Sequence, residues 1–455
     1  MRVDDPEGVP MVDVHAAVGG HRGRMTTRMT PGAPDPALTV EQLDHRGTTS
    51  HEVYTAGFYE GGWDFVVRSL LGKATRGGAD IGEVLATIAP IRAKDDEGWF
   101  AAWVALGERT AAIAASCAQR GHRSSAARAY LRAANYYAVG VNAVNGLDSD
   151  EQLLPTFRAH RAAWEGFLAT TRWPVERFEI PYEGAAMPGW IFRPDTTGAV
   201  RPTLVMNLGS DEAITGVWSE GAEGALERGY DVVLFEGPGQ QSMLFERGIP
   251  FRHDWEQVLT PVVDAVLTFA DVDADKLAVY GVSQAGYWVP RALAFEHRFA
   301  AAIADGGVVD VSRSWTAHLP HHLLSLYEKG EKEAFDREMS LGMHLPGSKA
   351  TRTEWKFRSR PYGVSGYSTV IDEVRRYHLR DVAGQITTPL YVIDADGDQF
   401  FGGQPAELAA LVPGATRQHF TQAEGAGHHC QPLARELTEQ RMLDWLDEQI
   451  GHTEA

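Results

Sequence analysis

The chain has 455 residues, 44% of them hydrophobic and 23% charged, and a formal net charge of −19. That length exceeds one ordinary domain, so it calls for a large core with an addition, or for two domains. The composition is that of a soluble globular protein, and its negative surface repels phosphate backbones and anionic bilayers, so no nucleic-acid partner and no membrane docking is expected.

Residues 1–50 are rich in Gly, Pro, Thr, Asp and Arg and show no sustained periodicity. They read as a flexible N-terminal arm. From 51 to 172 the spacing is helical. Trp99, Trp103 and Leu106 share one face. A second helix over 124–137 has Ser124 and Ser125 placed to cap it, and its Tyr130, Tyr136 and Tyr137 belong to a core. This stretch is expected to form a helical cap domain.

The pattern changes near 173. Residues 177–182 and 189–193 read as a hairpin around Glu183 and Gly184. Strands follow at 203–207, 231–235, 277–280 and 300–304, with helices at 221–228, 255–269 and 289–295 between them. Over 311–385 the alternation stops, which reads as an inserted helical lid. It resumes with a strand at 389–393, a helix at 405–411, a strand at 418–421 and a last helix at 433–450. Strands alternating with helices imply an α/β core over 173–310 and 386–455, a mostly parallel, doubly wound sheet of about eight strands.

Chemistry is concentrated at Gly281-Val282-Ser283-Gln284-Ala285-Gly286, where a strand turns sharply into a helix. Such a turn puts a serine hydroxyl at the bend, and it tolerates only small neighbours two residues to either side, here Gly281 and Ala285. The following helix aims N–H groups at the serine oxygen, so the N–H of Gln284 is a candidate half of an oxyanion hole. The turn Leu208-Gly209-Ser210-Asp211, after the 203–207 strand, offers the N–H of Gly209 or Ser210 as the other half.

In this arrangement an acid and then a histidine follow the serine along the chain. The acid belongs on the loop beyond a strand. Asp398 fits that best, Asp396 second, and Asp394 comes too early. A calcium loop starting at Asp394 fails, because Gln399 and Pro405 stand where Gly and Glu are needed. The glycine-rich loop Glu424-Gly425-Ala426-Gly427 leads to His428 and His429, and spacing alone does not choose between them.

Other constellations are weaker. The loop at 235–242 has Pro238 and Ser242 where a dinucleotide fingerprint needs freedom and glycine. His318, His321 and His322 lack carboxylate or thiolate companions at ligand spacing. No metal and no cofactor are expected. Tyr287, Trp288, Trp315 and Trp355 are either plain core or the lining of an apolar pocket. The two cysteines, Cys117 and Cys430, form no framework, and the first thirty residues hold no signal-peptide core, so a cytoplasmic protein is expected.

Taken together, Phe235-Glu236-Gly237-Pro238-Gly239-Gln240, the serine turn with Tyr287, the run from Asp398 to Gln404 and the run from Glu424 to Gln431 resemble one branch of the α/β-hydrolases. That branch holds 2,6-dihydroxypseudooxynicotine hydrolase, fungal polyketide-shortening hydrolases of melanin-type pathways and FrsA-like esterases. The helices around Trp99–Trp103 and Tyr130–Tyr137 resemble its N-terminal helical domain. The resemblance, over roughly 60–450, implies Asp398 as the acid, because that acid precedes x-Phe-Phe, and His429 as the base, because it precedes Cys-Gln. It departs at Gln241 and Ala285, where the branch usually has glycine.

The resemblance implies a Ser283–His429–Asp398 hydrolase that cleaves a carbon–carbon bond beside a ketone in an aromatic or polyketide-like small molecule. It also implies a homodimer. The same triad would serve a carboxylesterase or an acyl-transferring enzyme, and the same fold can host a non-catalytic binding protein.

Overall fold

Glu183 and Gly184 adopt φ of 42° and 79°, the left-handed pair that joins strands through a two-residue turn. They connect β1 (Val175–Tyr182) to β2 (Ala185–Phe192) as an antiparallel hairpin. The computed structural model describes residues 53–453, and the arm expected at 1–50 lies outside them. β2 runs antiparallel to β4 (Asp231–Phe235). β4 pairs in parallel with β3 (Arg201–Asn207), and β5 (Val272–Val282), β6 (Ala301–Asp305), β7 (Leu390–Ala395) and β8 (Thr416–Phe420) continue the parallel sheet. The order is β1-β2-β4-β3-β5-β6-β7-β8.

Every residue of β4, β6 and β7 is buried, as parallel strands covered on both faces require. Alternate side chains feed two cores. Val205, Val233, Val279 and Val392 pack with Val258, Val262, Leu293 and Leu408 on one face. Leu204, Met206, Val232, Leu234 and Ile303 pack with Trp164, Phe167, Trp218, Met442 and Leu446 on the other.

Before the sheet come the helices Gly62–Lys73, Ile81–Ile88, Asp96–Gln119, Arg123–Ala143 and Leu153–Thr170. Asp80 and Asp95 cap the second and third, accepting from Glu83 N at 3.1 Å and Gly98 N at 2.9 Å. Trp99, Trp103, Leu106 and Tyr136 share one buried cluster. The serine cap expected at 124–125 is a correction. The helix starts at Arg123 with no side-chain cap, and both serines face solvent in its first turn. The Arg123 guanidinium instead donates to Thr170 O and Thr171 O at 3.0 and 2.8 Å, tying that start to the end of Leu153–Thr170.

Between β6 and β7 lie the helices Arg313–Thr316, His321–Glu328, Lys332–Met343, Lys349–Ser359 and Tyr367–Val374. Other boundaries differ from expectation. The helix expected from 289 begins at Ala285, where Gly286 and Pro290 mask the periodicity. β5 begins at Val272, because its exposed leading end carries Asp273, Asp275 and Lys276 instead of an apolar run. Among the described residues no helix is long and apolar enough to cross a membrane.

Candidate active site

At the carboxyl end of β5 the chain bends through Ser283, whose φ of 58° lies in the left-handed region that non-glycine residues rarely adopt. The bend is held by Ser283 N donating to Asp305 O at 2.9 Å and Gly286 N donating to Ser283 O at 2.8 Å. A Cβ on Gly281 would lie 2.6 Å from Ala285 O, so only glycine lets strand and helix approach this closely. Gly281→Val is expected to destabilise the protein by about 1–3 kcal/mol, read as a lower urea midpoint with an unchanged slope.

The serine Oγ lies 2.9 Å from His429 Nε2. His429 Nδ1 lies 2.8 Å from Asp398 Oδ2, and both side chains are only 2% exposed. Asp398 is fixed in turn, because its Oδ1 accepts from Phe400 N and Phe401 N at 2.8 Å each. The other candidates stand elsewhere. Asp394 is buried in β7 and paired with Arg417 and His419. Asp396 is exposed and accepts from His419 Nε2 at 2.8 Å and Gln422 N at 2.9 Å. His428 packs its ring 5.3 Å from that of Tyr54, and none of its hydrogen bonds among the described residues reaches the serine.

The expected oxyanion turn adjoins the serine. A Cβ on Gly209 would stand 3.0 Å from Ser283 Cβ. Among the described residues the backbone N–H groups of Gly209, Ser210 and Gln284 donate to no protein acceptor, so they remain available to a developing oxyanion. Gln240 pins this turn through Nε2 donating to Leu208 O at 2.8 Å and Gly209 O at 3.3 Å, while its Oε1 accepts from Gly237 N at 2.9 Å. The Gly-Pro-Gly-Gln segment therefore serves as a brace for the site.

Of the four candidate pocket aromatics, Tyr287 and Trp288 have no exposed surface. Tyr287 donates to His253 O at 2.8 Å, and Trp288 stacks on Trp255 at 4.3 Å, so the structure gives them to the core behind the turn. Trp315 is 5% exposed and meets Trp355 edge-on at 5.3 Å. Sequence reasoning missed the rings that do surround the imidazole. Phe400 and Phe401 lie 5.0 and 5.6 Å from the ring of His429, and Phe65 lies 6.1 Å from it. The Phe-Phe pair lay inside a motif already quoted. Phe65 sits on a helix distant in sequence and carried no signal.

Burial by itself would lower the His429 pKa. The charge and hydrogen bond of Asp398, with Asp305 and Asp211 behind it, override burial and hold the pKa above its ordinary value. Asp398 feels the same penalty from burial, yet the imidazole and the N–H groups of Phe401 and Phe400 keep its pKa low. An imidazole that must accept the serine proton works only when neutral, so kcat/KM is expected to fall as pH drops through the raised His429 pKa. The midpoint of that acid limb should lie above 6.5, the ordinary value. For stability the sign is opposite. The contribution of the protonated pair is complete below the unfolded pKa and is lost as pH rises through the folded one. A kcat/KM profile and denaturant melts across that window check both.

A strained serine turn at the carboxyl edge of a doubly wound parallel sheet, hydrogen-bonded to a loop histidine, defines an α/β-hydrolase class of protein. Residues 227–343 match the prolyl oligopeptidase family model. The chain is 30% identical over 338 residues to the hydrolyase ccsE of Aspergillus clavatus, covering 70% of this chain and 77% of that one. It is 28% identical over 417 residues to the 20-hydroxy-prefusarin hydrolase FUS2 of Gibberella moniliformis, covering 87% and 97%. The crystal structure of the 2,6-dihydroxy-pseudo-oxynicotine hydrolase superposes with a TM-score of 0.67 at 21% identity, covering 84% of this chain and 97% of that one. The chain belongs to the α/β-hydrolase family, and it is a hydrolase.

Proposed function

We propose that this hydrolase cleaves a carbon–carbon bond next to a ketone, in a β-diketone or polyketide-like aromatic small molecule, through an acyl-enzyme on Ser283. The observation that carries the reading is the unbroken line from Ser283 Oγ to His429 to Asp398, at 2.9 and 2.8 Å. Ser283 Oγ attacks the ketone carbon while His429 Nε2 takes its proton. The N–H of Gln284 and that of Gly209 or Ser210 hold the tetrahedral oxyanion. The carbon–carbon bond then breaks, its electron pair passes into the second carbonyl as an enolate, and His429 returns the proton to that carbon. Water, deprotonated by His429, attacks the acyl ester and releases a carboxylic acid and the free serine. Asp398 keeps the proton on Nδ1 and balances the imidazolium.

The surroundings support an aromatic substrate and a site closed to bulk water. The helices before β1 act as a cap that brings Phe65 to the imidazole, and the 311–385 helices act as a lid that brings Tyr362 to the residue after the serine. The enzyme acts in the cytoplasm, as a homodimer, and needs no cofactor. To test the reaction, the purified protein is offered benzoylacetone and phenyl acetate. Cleavage of the diketone to benzoic or acetic acid is expected. Fast ester turnover with the diketone intact would point instead to a carboxylesterase or acyl-transfer enzyme on the same residues.

A further inference from the structure

Gln284 follows the serine directly, and its side chain is as buried as its backbone is exposed to chemistry. The residue is 5% exposed. Its Oε1 accepts from the Tyr362 hydroxyl at 3.3 Å. Among the described residues its Nε2 is buried and donates to no acceptor. The Tyr362 ring in turn meets the Trp315 ring edge-on at 5.6 Å. With Oε1 taken by the Tyr362 hydroxyl, the Nε2 protons face away from it. The pair leaves an unused donor one residue from the nucleophile.

A guanidinium stands behind Trp315. The Arg358 guanidinium lies over the Trp315 ring, 4.4 Å from its centroid, and donates to Ser314 O and Oγ at 3.2 and 3.0 Å. Asp211, bonded to Ser210 Oγ at 3.0 Å, interacts electrostatically with both His429 and Arg358. A buried amide donor without a partner calls for an oxygen acceptor, and holds most strongly one that gains negative charge.

Building on the proposed reaction, we infer that the Gln284 side-chain amide binds the second oxygen of a 1,3-dicarbonyl substrate, the oxygen that becomes the enolate. As the bond to the attacked carbon breaks, its electron pair forms the enolate double bond, and the former carbonyl pair moves onto that oxygen. Gln284 Nε2–H donates a hydrogen bond to it and transfers no proton. The backbone of Gln284 thus serves the first oxygen and its side chain the second. A simple ester has no second carbonyl oxygen to offer, so this donor selects for dicarbonyl substrates.

The test uses the full chain with Ser283→Ala, which can bind without turnover, and isothermal titration calorimetry with benzoylacetone and its matched monoketone, 1-phenylbutan-1-one. The protein is expected to prefer the diketone. Adding Gln284→Leu should reduce that preference about five-fold, as for a hydrogen bond to a neutral carbonyl. Tyr362→Phe, which keeps the ring and removes one hydroxyl, should reduce it about three-fold by freeing the amide. An unchanged preference in Gln284→Leu would overturn the inference, as would the absence of any preference at the start. If Gln284→Leu does not fold, Tyr362→Phe decides in the same way. Wild-type enzyme assayed in parallel separates the two levels. A preference that collapses in Gln284→Leu while wild type leaves benzoylacetone uncleaved supports the binding site and overturns the reaction.

Discussion

Ser283→Ala is expected to lower kcat by about 10⁶-fold, the scale seen when a nucleophile that works as part of a unit is removed. The serine Oγ makes one contact of consequence, to His429 Nε2 at 2.9 Å. The bend itself is held by backbone bonds from Ser283 N to Asp305 O and from Gly286 N to Ser283 O, which alanine keeps. The variant should therefore melt within about 0.5 kcal/mol of wild type, as substitutions outside the usual destabilising mechanisms do. A loss of turnover accompanied by a large loss of stability would mean that the serine supports the turn and does not drive the chemistry.

Asp398→Asn should cost about 10⁴-fold in kcat with the geometry intact. Its Oδ1 is claimed by the N–H groups of Phe400 and Phe401. An asparagine would keep its oxygen there and turn its NH₂ toward His429 Nδ1. Two donors cannot face each other, so the imidazole would move its proton to Nε2 and could no longer accept one from Ser283. Asp396→Asn is the control. Asp396 is exposed and engaged with His419 and Gln422, and its replacement should change kcat by no more than about two-fold. Steady-state kinetics of both variants decide the matter, and a larger loss at Asp396 would move the acid to the wrong side of the loop.

The parts of the fold readable from the chain were those where a short-range rule acts alone. The Glu183-Gly184 turn and the apolar runs within β4, β6 and β7 are local signals, and they stand where the pattern puts them. The serine turn was legible for the same reason, since small residues around a bend are a steric demand on neighbours in sequence. Boundaries blurred where two demands overlap. Gly286 lets the helix lie close to the backbone at the end of β6, and together with Pro290 it hides the first turn of the helix from Ala285. Ser124 and Ser125 have capping chemistry, yet Arg123 found stronger partners in Thr170 O and Thr171 O, which no local rule foresees.

The site divides in the same way. Asp398 could be picked among its rivals by position and by resemblance, and His429 by resemblance alone. Phe65, Arg358 and Tyr362 could not, because each reaches the site from a helix or turn far from Ser283 in sequence and carries no motif of its own. What singles them out is contact: a ring 6.1 Å from His429 for Phe65, a hydroxyl on Gln284 for Tyr362, and a stacked guanidinium on Trp315 for Arg358. No motif marks these side chains, which is why reaction class was more legible than substrate.

The most direct measurement is to treat the full chain with a fluorophosphonate and locate the adduct by mass spectrometry. An activated serine attacks phosphorus, and an ordinary one does not. The account predicts a single adduct on the peptide containing Ser283, lost in His429→Ala and retained in His428→Ala. An unmodified Ser283, or labelling of Ser283 that survives His429→Ala undiminished, would contradict it.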